Sequence, residues 1–191
     1  MTRHLFWAAV ALATAIAAHA AFALYAPGWW FSRAVDRLAE AHGENSFFIL
    51  NPEEQAQLFP GLPRLGVTGM CIFDVSAGDV TFSANLPEGF WLTTIYTDKA
   101  ESIYSVNNRQ SGANLFTVSL SRAPSFIEQV VQATDKEKPE IDSGWTVMSP
   151  EPRGLAVVWY PTAESGLRQL AAEAVARSHC DTAAAAKVAT P

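Results

Sequence analysis

The fold is decided by "GMCIFDVSAGDVTFSANLPEGFWLTTIYT", residues 69–97. Its first two parts, "GMCIFDV" and "VTFSANL", are β-rich runs on either side of "SAGD", whose Gly78 suits a turn, the pattern of a hairpin. The third part, "FWLTTIYT", alternates bulky side chains. Trp91, Thr93, Ile95 and Thr97 fall on one face, and Phe90, Leu92, Thr94 and Tyr96 on the other. Both faces are apolar or β-branched, which predicts an interior strand covered on each side.

Downstream, "DKAE" connects to "SIYSVN", and "ANLFTVSLS", "IDSGWTVM" and "GLAVVWYP" read as further strands separated by turn-rich segments. Between them, "PSFIEQVVQAT" (124–134) places Phe126, Val130 and Ala133 at helical intervals. The stretch 162–180 carries Leu167, Leu170, Ala171, Ala174 and Val175 as the apolar stripe of a helix, and 181–191 is a tail with nothing to anchor it. Upstream, "NPEEQAQLF" opens with Asn51 as N-cap, Pro52 at the first helical position and two acids in the first turn, the signature of a short helix. Before it, "FSRAVDRLAEA" sets Phe31, Ala34, Val35, Leu38 and Ala41 on one face, an amphipathic stem. Six or seven short strands with helices at both ends predict a mainly β, α+β domain. Its form is an antiparallel sandwich or small open barrel with peripheral helices.

The chain begins with one cation, Arg3, followed by some twenty residues without Asp, Glu, Lys or Arg. A helix begun at Leu5 and ended at Leu24 reaches about 30 Å, enough to cross a bilayer once. Tyr25, Trp29, Trp30 and Phe31 follow, the residue types that populate a membrane interface. These features predict an uncleaved single-pass anchor in the inner membrane with the domain on the periplasmic side. The alternative is a cleaved secretory signal, since Ala18-His19-Ala20 and Ala21-Phe22-Ala23 both offer small-x-small processing sites. A break in the helix is expected at Pro27-Gly28. The resulting segments are anchor 1–27, stem and short helix 28–66, β-rich domain with C-terminal helix 67–180, and tail 181–191.

The 191 residues are 49% hydrophobic and 17% charged, with net charge -6. The first 25 hold one cation and no acid, leaving 12 Lys and Arg against 19 Asp and Glu. Such a surface repels phosphate backbones, which argues against a nucleic-acid partner. Cys71 and Cys180 are compatible with one disulfide in an oxidising compartment, or with two unpaired thiols.

Catalytic vocabulary is sparse. No zinc-ligand spacing, phosphate loop, dinucleotide-binding glycine pattern or nucleophile elbow occurs, so neither metal nor cofactor is expected. His179, Cys180 and Asp181 are adjacent in sequence, and neighbours on a helix point in different directions, unlike a nucleophile and its base. Asp74 and Asp79 flank the first turn, and Asp98 and Glu101 the next. Carboxylates about 5 to 10 Å apart suit acid and base work, although acids at hairpin ends are also ordinary in a soluble β protein. In "YSVNNRQ", Asn107 and Asn108 suit a strand-ending turn, and Arg109 could hold an anion. The candidate binding edge comprises Tyr96, Asp98, Glu101, Tyr104, Asn107, Asn108 and Arg109.

The succession "PEGFWLTTIY" then "YSVNNR", after a "GDV" strand, resembles the bacterial family known as domain of unknown function 1254. The resemblance covers residues 69–121. It implies an exported or anchored envelope protein associated with a companion domain, here a separately encoded partner, and it supplies no catalytic residues. The expected role is that of an envelope protein whose β-domain binds a partner protein or small ligand without catalysis. The alternatives are an envelope hydrolase or lyase using acids such as Asp98 and Glu101, and a structural subunit of an envelope assembly.

Overall fold

Nine strands form in the computed structural model, which describes residues 2–63, 65–112, 115–124, 145–162 and 165–182. All seven expected strands are among them: β2 (Val67–Asp74), β3 (Val80–Asn85), β4 (Leu92–Thr97), β5 (Ser102–Asn107), β6 (Leu115–Arg122), β7 (Trp145–Ser149) and β8 (Arg153–Tyr160). Two short ones were not expected, β1 (Phe47–Ile49) and β9 (His179–Thr182). The helix expected over 124–134 lies outside the described residues.

The strands form two open sheets, one ordered β1-β2-β8-β4-β5 and the other β7-β6-β3-β9. In the first, every pair is antiparallel, with Cys71 opposite Ala156 and Ile95 opposite both Ala156 and Tyr104. The second contains one parallel pair, β6 with β7, Val118 standing opposite Trp145. The expectation of a purely antiparallel arrangement is corrected there. A second correction concerns "SAGD". β2 and β3 belong to different sheets, so the turn carries the chain from one sheet to the other instead of closing a hairpin.

A core drawn from both sheets explains this placement. Cys71, Phe73, Ile95, Ala156 and Val158 from the first sheet, with Trp91 just before β4, share one apolar cluster with Val80, Phe82, Phe116, Val118, Leu120 and Cys180 from the second. Trp91 has no exposed surface and its ring lies 6.1 Å from that of Phe116. A disulfide joins Cys71 of β2 to Cys180 of β9, with Cα atoms 6.2 Å apart and a sequence separation of 109. The C-terminal helix is shorter than expected. A 3-10 turn (Ser165–Leu167) leads into α4 (Arg168–Val175), and pairing with β3 then draws residues 179–182 into a strand. His179 and Asp181 are exposed while Cys180 is buried, the alternation of a strand.

The other face of the first sheet is covered too. Helix α1 (Thr2–His42) runs unbroken through Pro27, against the expected break. Proline removes one backbone donor from a helix interior, and the turns on either side carry the helix past it. Val35 and Leu38 of α1 then pack with Leu58 of α2 (Pro52–Leu58), Met70, Ile72, Leu155 and Val157 in a second apolar cluster. The stem and short helix are therefore integral to the domain. α2 starts as its sequence predicts, with Asn51 Oδ1 accepting from the backbone of Glu53 and Glu54. Covered on both faces, β2 and β8 are buried along most of their length, as an interior strand with a nearly continuous apolar run should be.

The first part of α1 is different. It is exposed along its length, and with it the whole helix, Arg3–His42, is long and apolar enough to cross a membrane.

Candidate functional site

The β4–β5 connection is shaped by Thr97. Its Oγ1 accepts from the backbone N–H of Lys99 at 3.3 Å and of Glu101 at 3.2 Å, while its own N–H donates to the Glu101 carbonyl at 2.8 Å. Ala100 takes the left-handed conformation, φ 69°, that so tight a turn requires. This geometry directs Asp98 and Lys99 towards Glu151, between β7 and β8. Lys99 Nζ is ion-paired with Glu151 Oε1, and Asp98, in its protonated form, hydrogen-bonds to the same carboxylate. Burial, above all, pushes the Asp98 carboxyl up to about 6. The hydrogen bond and repulsion from Glu151 add to that, and Lys99 and Arg153 oppose it. Glu151 moves the other way, held down chiefly by its bond with Asp98. Below about pH 6 the proton between the two carboxyl groups therefore resides on Asp98. Beside them, Arg153 Nη1 donates to Asp36 of α1 at 2.8 Å, and Arg153 Nε lies 3.3 Å from Glu44. A line of charge follows the contact between α1 and the strand ends.

The seven residues singled out from the sequence do not converge. Asp98 and Glu101 occupy one end of the β4–β5 hairpin, but the acid that meets Asp98 is Glu151. Asn107, Asn108 and Arg109 lie at the other end, about 17 Å away along a six-residue strand. There Asn107 is a helix cap. Its Oδ1 accepts from the backbone of Arg109 at 3.0 Å and Gln110 at 3.2 Å, and Gln110 answers by accepting from the Asn107 N–H at 3.1 Å, starting the one-turn α3 (Asn108–Ser111). Arg109 is exposed. Tyr96 and Tyr104 point to opposite faces of the first sheet, Tyr96 against Phe59 and Tyr104 against Trp145. None of the seven lines the groove at the end of β8 or the hollows along α1 and α2. Among the described residues, no group of three or more His, Cys, Asp or Glu is placed to hold a metal ion.

An apolar groove of about 340 Å³ does form, between the end of β8 and α4. Pro87, Tyr160, Pro161, Thr162, Leu167 and Leu170 line it. Thr162 Oγ1 is buried and has no hydrogen-bond partner among the described residues. Tyr160 is fixed by donating its hydroxyl to the Glu88 carbonyl at 2.9 Å. Leu167 and Leu170 are 49% and 64% exposed, although they belong to the stripe read as core, because α4 buries Ala171, Ala174 and Val175 instead. The excess width of that stripe was the available signal for this groove.

No family model matches the chain, and no curated protein matches it in sequence. Among solved structures it is similar to the VPA0106 protein from Vibrio parahaemolyticus, at 12% identity and a TM-score of 0.58, over 87% of this chain and 38% of that one. It is also similar to an uncharacterised protein from Burkholderia cenocepacia, at 11% identity and a TM-score of 0.43, over 72% of this chain and 34% of that one. The chain therefore spans less than two fifths of either protein. The likeness to VPA0106 is one of fold alone.

Proposed function

We propose that this is a single-pass envelope protein, anchored in the inner membrane by α1, whose two-sheet domain is a sandwich that binds a partner polypeptide on the periplasmic side without catalysis. The groove beside α4 carries this reading. Large apolar side chains around a concave surface, with the buried Thr162 hydroxyl among the lining groups, are the composition of a binding site. The Cys71–Cys180 disulfide supports the periplasmic side, because such bonds persist where the compartment is oxidising. Within the longer VPA0106 chain a domain of this fold is accompanied by further polypeptide, and a companion domain is the occupant proposed for the groove. A photo-crosslinking residue in place of Leu170, in cells expressing the full chain, should give a discrete adduct, and the same residue at Ala77 none. Equal adducts from both positions, or none from Leu170, would overturn the assignment.

One observation favours a second reading, an envelope hydrolase or lyase. Asp98 keeps its proton to about pH 6 beside Glu151, as a general acid working near neutrality must. Asp98→Asn with folding and cellular phenotype both unchanged removes that reading.

A further inference from the structure

We propose that the β4–β5 turn, residues 98–101, rests in the headgroup layer of the bilayer, with α1 as the rigid strut that holds it there. The inference builds on the anchor reading and adds a second membrane contact, made by the globular domain. It begins from how α1 joins that domain. Val35 is fully buried, Leu38 is 7% exposed, and Asp36 is ion-paired with Arg153 of β8. The helix is thereby rooted in the core, and it continues through Pro27 into the apolar segment without a hinge loop. The orientation of the domain on the membrane follows from the helix.

The same face that buries Leu38, Val35 and Phe31 passes, one turn at a time, through Gly28 to Leu24. At Gly28 the helix meets the turn, where a Cβ would lie 3.7 Å from both the Cβ and the carbonyl oxygen of Lys99. Those are ordinary van der Waals distances, so helix and turn are in direct contact there. Four residues separate Gly28 from Leu24, the end of the apolar run, a rise of about 6 Å. The polar layer on each side of the hydrocarbon is roughly 5 to 8 Å deep. A tilt of about 20° shortens the rise only slightly. Lys99 and Ala100 therefore reach the headgroups.

The chemistry agrees with that depth. Trp29 and Trp30 are exposed at the same level of the helix, and the Arg33 guanidinium lies 4.8 Å from the Trp29 ring centre, a grouping suited to the interface. The Lys99 side chain is 59% exposed and, beyond its bond to Glu151, retains donors for lipid phosphate.

The test uses the full chain in liposomes, with one fluorophore attached through A100C, A77C or F22C and lipids carrying a nitroxide on the headgroup or the acyl chain. The native cysteines are paired and buried, so labelling is confined to the new thiol. Ala77 follows Asp74, which is held by Asn45 beyond the far end of α1, roughly 20 Å or more from Gly28 along the helix axis. Acyl nitroxide should quench F22C, and headgroup nitroxide should quench A100C about threefold more than A77C, given that separation. Quenching of F22C with A100C no different from A77C would overturn the proposal and leave the anchor standing. Failure of F22C to be quenched by acyl nitroxide would overturn both.

Discussion

Asp98 shows how much of a site's chemistry is set by a single contact. Its carboxyl titrates at about 6 in the folded protein against an ordinary 3.8. Between those values the folded chain holds a proton that the unfolded chain has released, so the contribution of Asp98 to stability falls as pH rises across that window and is flat above it. Glu151, held down, has the opposite slope. Its contribution is present above its ordinary 4.5 and is lost as pH falls through the lowered folded value. Asp98→Asn retains a donor for Glu151 without the second negative charge. It should leave stability at pH 5 nearly unchanged and raise it at pH 7.5 by at most about 1 kcal/mol, since both groups are largely solvent-screened. Thermal melts of variant and parent at the two pH values check this, and the same difference at both would refute the shared proton. The sequence placed Asp98 at a turn but could not show its partner. Lys99 and Glu151 stand 52 residues apart and Asp36 and Arg153 117 apart, and only the β4–β8 pairing and the docking of α1 bring them together.

The elements themselves were legible wherever local pattern and tertiary demand agreed. The N-cap and proline of α2, the two-sided apolar pattern of β4 and the stripe of the stem all settle their structure locally. β9 was illegible because residues 179–182 have little strand character of their own and are ordered by pairing with β3. The expected hairpin at "SAGD" failed for a related reason. A turn signal specifies a reversal of the chain but not whether the next strand returns to the same sheet. In α1 the stripe predicted contact, yet Ala41 is exposed and Leu38 buried, so the two positions test which part of the stem is anchored. Leu38→Ala removes a buried side chain from the cluster beneath the first sheet and should cost about 2 to 4 kcal/mol. Ala41→Ser should change stability by less than about 0.5 kcal/mol. Denaturant midpoints of the full chain in mild detergent distinguish the two, and equal midpoints would mean that the stem is a free tether.

At the scale of the molecule, the first sheet is a shared wall, with α1 and α2 packed on one face and the second sheet on the other. Composition foretold that an α+β domain followed an apolar helix, but not that the two would share a core, since periodicity says which residues are buried and not what buries them. The disulfide is the covalent link between the sheets. It crosses the shared core from β2 to β9, closing a loop of 109 residues, for which restricting the unfolded chain is worth about 4 to 5 kcal/mol in the loop-entropy account and commonly less in practice. Cys71 has no exposed surface and Cys180 only 3%. A thiolate must reach one sulfur in line with the bond, so reductant should act only on molecules that have opened. Two outcomes follow for the full chain in detergent. Cys180→Ala should lower stability by about 2 to 5 kcal/mol, with its first effect at the β3–β9 edge, where amide exchange should accelerate while the α1 amides around Val35 and Leu38 keep their protection. Reductant added to the parent at room temperature should leave both unchanged for as long as the protein stays folded. Rapid reduction under native conditions would mean that the second sheet opens independently of the first, and equal loss of protection in α1 and β9 would mean that the two cores unfold as one.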